Sequence, residues 1–144
     1  MADRTVPVKI FIAEDNLADV MLVREALKAH KILFQMVHLK DGAEAVAALC
    51  GNPVVPSSPD LILLDLNMPK VGGLEVLSAI RKVTALNAVP IIVLTSSPAP
   101  EEQQAARRLG VKHYLQKPSD LYEFIDQVGG TIQEVVRQIH AAAG

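Results

Sequence analysis

The stretch Leu61-Ile62-Leu63-Leu64-Asp65-Leu66-Asn67-Met68-Pro69-Lys70-Val71-Gly72-Gly73 decides the fold. A short apolar run ends in a carboxylate and gives way to a Pro/Gly turn, the pattern of a buried strand at its exit. In an open α/β sheet such a strand, Asp60–Asp65, delivers Asp65 to the carboxyl edge, where ligands bind. Taken alone, an aspartate at a strand end is more often a turn former or helix cap. Two other signals change its weight. Glu14-Asp15 follow the apolar run Val8–Ala13, and Lys117-Pro118 follow Val111–Leu115.

Working outward, strand-like and helix-like patterns alternate. Val20, Val23 and Leu27 share a helical face after the first strand; Leu33–Leu39 is the second strand, closed by Asp41-Gly42. Ala43, Val46, Ala47 and Cys50 form the next helical stripe. Gly51–Pro59, with three prolines and two serines, reads as a loop that is long for its place. Leu74, Leu77, Ile80 and Val83 carry the third helix, and Ile91–Thr95 is the fourth strand. Pro98 and Pro100 lead into a helix with Glu101-Glu102 in its first turn, Arg107-Arg108 in its last and Gly110 as its stop. The last helix begins near Ser119-Asp120, where Asp120 and Glu123 have capping-box spacing. Its stripe is Leu121, Phe124, Val128, Ile132, Val135 and Ile139, running through Gly129-Gly130 without a break.

Five βα units in this order imply a parallel sheet with helices on both faces. The expectation is one domain over residues 1–144, with a core of about 8–128 and residues 129–144 extending the last helix beyond it. The length of 144 residues suits a single core, and aromatics at 3% leave Leu, Val, Ile and Ala to fill it. A net charge of −2 gives no reason to expect nucleic acid or an anionic membrane surface as partner. No apolar run approaches the roughly 20 residues that span a bilayer, and Met1–Thr5 begins no secretory signal. The single Cys50 excludes an intrachain disulfide and reads as a buried, inert thiol in a reducing, cytoplasmic compartment.

The crevice at the strand ends therefore gathers Glu14, Asp15, Asp65, Thr95 and Lys117. Clustered carboxylates attract Mg²⁺, a hard cation that takes carboxylates, carbonyls and waters. Thr95 offers a hydroxyl and Lys117 an ammonium to phosphate oxygens, and phosphoryl transfer needs mainly positioning and charge stabilisation. An acyl phosphate on Asp65 is the product these residues are arranged to hold.

The set Glu14-Asp15, Asp65 with Asn67-Met68-Pro69, Thr95 and Lys117-Pro118 resembles the receiver domain of two-component response regulators over nearly the whole chain. The stretch Glu14-Asp15-Asn16-Leu17-Ala18-Asp19-Val20 is similar to small stand-alone receivers that partner bacterial phytochromes. The resemblance implies a flavodoxin-like fold of strand order 2-1-3-4-5. It implies Asp65 as phosphoacceptor from a histidine kinase. Mg²⁺ would be held by Asp15, Asp65, the Asn67 carbonyl and, through water, Glu14. Thr95 and Lys117 would bind the phosphoryl oxygens, Thr95 and Tyr114 would form a switch, and a cis peptide would precede Pro118. Gly72-Gly73 departs from the frequent Asp-Gly, and Glu14 from the commoner aspartate. With no output module after the last helix, signalling is expected through a target or phosphotransfer protein, or self-association, on the 101–140 face. Two rivals stand beside this reading: an interaction module that works without phosphorylation, and an aspartyl-nucleophile phosphohydrolase, which Asn67 disfavours by removing the second acid of an Asp-x-Asp pair.

Overall fold

A computed structural model describes residues 6–51 and 58–143. Most of the expected Gly51–Pro59 loop, and Met1–Thr5, lie outside the described residues. Five strands, β1 (Val8–Ala13), β2 (Phe34–Leu39), β3 (Leu61–Leu64), β4 (Ile91–Thr95) and β5 (His113–Gln116), alternate with five helices. These are α1 (Leu17–Ala29), α2 (Gly42–Cys50), α3 (Gly73–Arg81), α4 (Pro100–Arg108) and α5 (Leu121–Ala143). All strand pairs are parallel, in the expected order β2-β1-β3-β4-β5.

The two-residue period of a strand splits the core into two layers. On β3, Leu61 and Leu63 join Val20, Val23, Leu27, Phe124 and Val128 beneath α1 and α5. Ile62 and Leu64 turn the other way, to Val76, Leu77 and Ile80 of α3 and to Ala106 of α4. Because β3 is covered on both faces, all four of its residues are buried and its sequence shows no polar alternation.

The helix starts follow their caps. Asn16 Oδ1 accepts from Asp19 N at 3.3 Å, Asp41 Oδ1 from Glu44 N at 2.8 Å, and Asp120 Oδ1 from Tyr122 N at 2.7 Å and Glu123 N at 3.3 Å. Gly110, at φ +87°, ends α4 in the left-handed conformation that glycine adopts without strain. Helix α5 is continuous through Gly129, and the glycine has a packing reason. A Cβ there would lie 2.1 Å from His30 Cδ2 and 3.0 Å from the Ala26 carbonyl oxygen of α1.

Three expectations change. The buried stripe of α2 is Gly42, Ala45 and Leu49, while Ala43 and Ala47 face solvent and Cys50 is only half-buried. Seven of its nine residues are Ala, Val, Leu or Cys, so periodicity could not choose a face; Gly42, pressed on the Val71 backbone, does. The strand at Val111 starts late, at His113, because the Val111 amide donates to Ala106 at 3.1 Å and completes the end of α4. Finally, the core does not stop near residue 128. Ile132, Val135 and Val136 of α5 are buried in the layer with α1, although Leu121, expected on this stripe, is exposed.

Candidate functional site

The strand ends bring together most of what the sequence placed there. One oxygen each of Glu14, Asp15 and Asp65 lies within 4.8 Å of the others. Glu14 follows β1 and Asp65 follows β3, neighbours in the sheet, and the Asp65 amide is fixed by the Ala13 carbonyl at 3.0 Å. Glu14 and Asp65 are 2% and 5% exposed, whereas Asp15 is open to solvent. Thr95, fully buried at the end of β4, accepts from Ser97 N at 3.2 Å, and its carbonyl accepts the Lys117 amide at 2.7 Å.

Among the described residues, Lys117 is the ammonium paired with these carboxylates. Its Nζ donates to Glu14 Oε1 at 2.5 Å, Asp19 Oδ2 at 2.7 Å and Asp65 Oδ2 at 3.4 Å. Burial opposes its charge, but the bonds to Asp19 and Glu14 and the charges of Glu14 and Asp65 outweigh that, so its pKa lies above the usual lysine range. The cluster remains short of positive charge. Burial first, then the adjacent Asp65, push the Glu14 carboxyl up to about 8 against the pull of Lys117. One ammonium facing several carboxylates leaves one of them surplus, and the most buried acid takes the proton. A site with oxygen donors and excess negative charge fits a hard divalent cation.

The Asp65 carboxylate is oriented from its own turn, Oδ1 accepting from Asn67 N at 3.0 Å. Gly73 is what allows α3 to start against this turn: a Cβ there would come within 2.3 Å of Leu66 Cα and 2.6 Å of the Asp65 carbonyl oxygen. Next to it, Gly72 leaves α3 without a side-chain cap, and a Cβ there would meet nothing within 4 Å.

Two residues at the site were missed from sequence. Asp19 reaches Lys117 from the first turn of α1, and His38 of β2 donates from Nε2 to the Glu14 carbonyl at 2.7 Å. Asp19 could have been found as the acid on the side of α1 facing the fifth strand end; His38 carried no local signal. One expectation is overturned: the described residues contain no cis peptide, so the bond before Pro118 is trans, the ordinary lower-energy form. Lys117 is placed instead by its amide bond to Thr95 and by its carboxylate partners. Tyr114 stands on β5 with its hydroxyl buried and without a partner; burial, and then Glu102, raise its pKa.

Residues 10–129 match the response regulator receiver domain. The chain is a member of the response regulator receiver family. Rcp1 of Synechocystis sp., a response regulator, is 39% identical over 133 residues, 90% of each chain. The crystal structure of the phosphorylated cyanobacterial phytochrome response regulator RcpA superposes with a TM-score of 0.83 at 36% identity, covering 91% of this chain and 95% of that one. The Mn²⁺-bound form of Rcp1 gives 0.78 at 39% identity, covering 86% and 91%. The receiver is thus a two-component signalling protein related to phytochrome response regulators. No helix among its described residues is long and apolar enough to cross a membrane.

Proposed function

We propose that this receiver takes a phosphoryl group on Asp65 from the phosphohistidine of a sensor kinase and signals through a protein-binding face. The observation that carries the reading is the convergence of Lys117 on Asp65, Glu14 and Asp19 beside the Asp15 carboxylate. An Asp65 oxygen forms the new P–O bond as the P–N bond to the donor imidazole breaks. The backbone amide of Asn67 and the Lys117 ammonium hold the acceptor carboxylate for in-line attack. Glu14, Asp15, Asp65 and the Asn67 carbonyl are the groups that would hold Mg²⁺, whose charge offsets the repulsion between carboxylate and phosphoryl. Lys117 and the Thr95 hydroxyl receive the phosphoryl oxygens.

The kinship with phytochrome response regulators supports a phytochrome-type kinase as donor. Output is assigned to the face of α4, β5 and α5, to a target, a phosphotransfer protein or a second copy. Within that face α4 is the loosely tied element. Helix α4 buries only Ala106 and lacks a side-chain cap, and the unpartnered Tyr114 hydroxyl lies under it beside Glu102. Engagement of Thr95 by a phosphoryl group would shift a two-state arrangement of Thr95 and Tyr114.

The test is incubation with acetyl phosphate and Mg²⁺ followed by intact mass. One acid-stable, base-labile phosphoryl adduct is expected, abolished in Asp65→Asn. An adduct persisting on that variant, or none on the wild type, sinks the assignment.

A further inference from the structure

Asp19 does not belong to the acids that converge as a metal cluster, yet it makes one of the two short bonds to Lys117. An ammonium carries three protons and accepts nothing. Here three carboxylates face it, and the contacts are unequal: 2.5 Å to Glu14, 2.7 Å to Asp19 and 3.4 Å to Asp65. Short charge-assisted bonds take two protons; the third points at Asp65 across a longer gap.

We infer that Asp19 is a positioning residue for Lys117, fixing the ammonium so that its remaining proton is presented at the Asp65 oxygens where a phosphoryl oxygen arrives. The inference rests on Asp65 being the acceptor. The lysine stem has four rotatable carbons, and an untethered head would sample several rotamers. Two tethers from different elements remove that freedom: Glu14 from the end of β1 and Asp19 from the first turn of α1. Their burial separates their duties. Glu14 is nearly inaccessible and belongs to the cation-holding set, whereas the Asp19 side chain is 22% exposed and outside that set. Asp19 is therefore the tether committed to Lys117 alone. Its position is itself secured, because its backbone amide donates to Asn16 Oδ1 in the cap of α1.

The wild type, Asp19→Ala and Asp19→Glu are compared for phosphorylation by acetyl phosphate, with the Mg²⁺ half-saturation and melting temperature measured on the same samples. At saturating Mg²⁺, Asp19→Ala is expected to be phosphorylated roughly tenfold more slowly, short of the ~100-fold that a 1 Å misplacement can cost, because Glu14 still tethers the ammonium. Asp19→Glu should recover part of that rate. Half-saturation and melting temperature should stay at wild-type values, which a merely structural role would not allow. A wild-type rate in Asp19→Ala overturns the inference, as does a rate loss matched by lost Mg²⁺ affinity or lost fold. Absence of any adduct on the wild type overturns the role of Asp65 instead.

Discussion

Between α1 and α5 the chain buries Val20, Val23, Leu27, Phe124, Val128 and Ile132, each at most 2% exposed and none carrying charge. At the ends of β1 and β3 it buries Glu14 and Asp65 almost as deeply, side by side and sharing one lysine. The first region is closed by contacts that support one another, down to Gly129 seated under the His30 ring. The second is closed against its own electrostatics, and the Glu14 carboxyl moves up to about 8 as a result. The apolar interface fixes the shape; the rim holds a charge imbalance that a cation and a phosphoryl group can use.

The sharpest way to break this comparison is Phe124→Ala. Removing a fully buried ring from the α1–α5 layer should cost about 3–5 kcal/mol, read as a lower urea midpoint at unchanged slope. The loss should be the same with and without Mg²⁺. A loss under about 1 kcal/mol would show that this layer is not the anchor.

Gly129→Ala should cost about 1–3 kcal/mol, since the new methyl meets the imidazole that His30 directs to the Ile125 carbonyl at 3.2 Å. The better helix propensity of alanine offsets only part of this, about 1 kcal/mol. A double-mutant cycle with His30→Ala should show positive coupling, because removing the ring opens the space. Additive losses would place the constraint at the Ala26 backbone instead.

At the rim the sign reverses. In the metal-free protein Glu14 keeps its proton to higher pH when folded than when unfolded, so between about 4.5 and 8 the folded state binds more protons. Its contribution to stability is then complete below about 4.5 and is lost as pH rises toward 8. Glu14→Gln, which cannot ionise, should match the wild type near pH 5 and melt higher at pH 8. Each kcal/mol corresponds to roughly 2–4 °C. Mg²⁺ should reverse the order at pH 8 by favouring the ionised wild type. Identical pH profiles for the two proteins would mean that Glu14 ionises as an ordinary carboxylate.

These two regions were also unequally legible. The five strands and the rim acids could be read because an apolar run followed by a charged residue is a local pattern, repeated at Asp65, Glu14-Asp15 and Lys117; the strand order followed from the family resemblance alone. The α1–α5 interface was legible in its stripes, but not in its length. The stripe ran through Gly129-Gly130 with no sign of their purpose, and only the approach of His30 shows that Gly129 lets the helices close and the core run on to Val136. Asp19 and His38 were hidden for the same reason. Each acts on a residue distant in sequence, Lys117 or Glu14, through a contact that exists only after the sheet has assembled. The bond before Pro118 was misread because a family habit was carried over, and no residue of this chain decides that isomer locally.

Gly72 offers the smallest and most local comparison. It occupies the N-cap of α3 at φ −66° and ψ 154°, an extended conformation open to any residue, and a Cβ there would meet nothing within 4 Å. Asp at an N-cap normally improves on Gly by a few tenths of a kcal/mol by accepting an amide of the first turn. The helix dipole adds a favourable contribution of similar size. Gly72→Asp should therefore raise the melting temperature slightly if the loop is electrically separate from the rim. If the crowding of Glu14, Asp15 and Asp65 reaches it, the gain should vanish in the metal-free protein and return with Mg²⁺. A gain independent of Mg²⁺ confines the imbalance to the carboxylates around Lys117, and a loss in both states would show that the loop cannot adopt the cap.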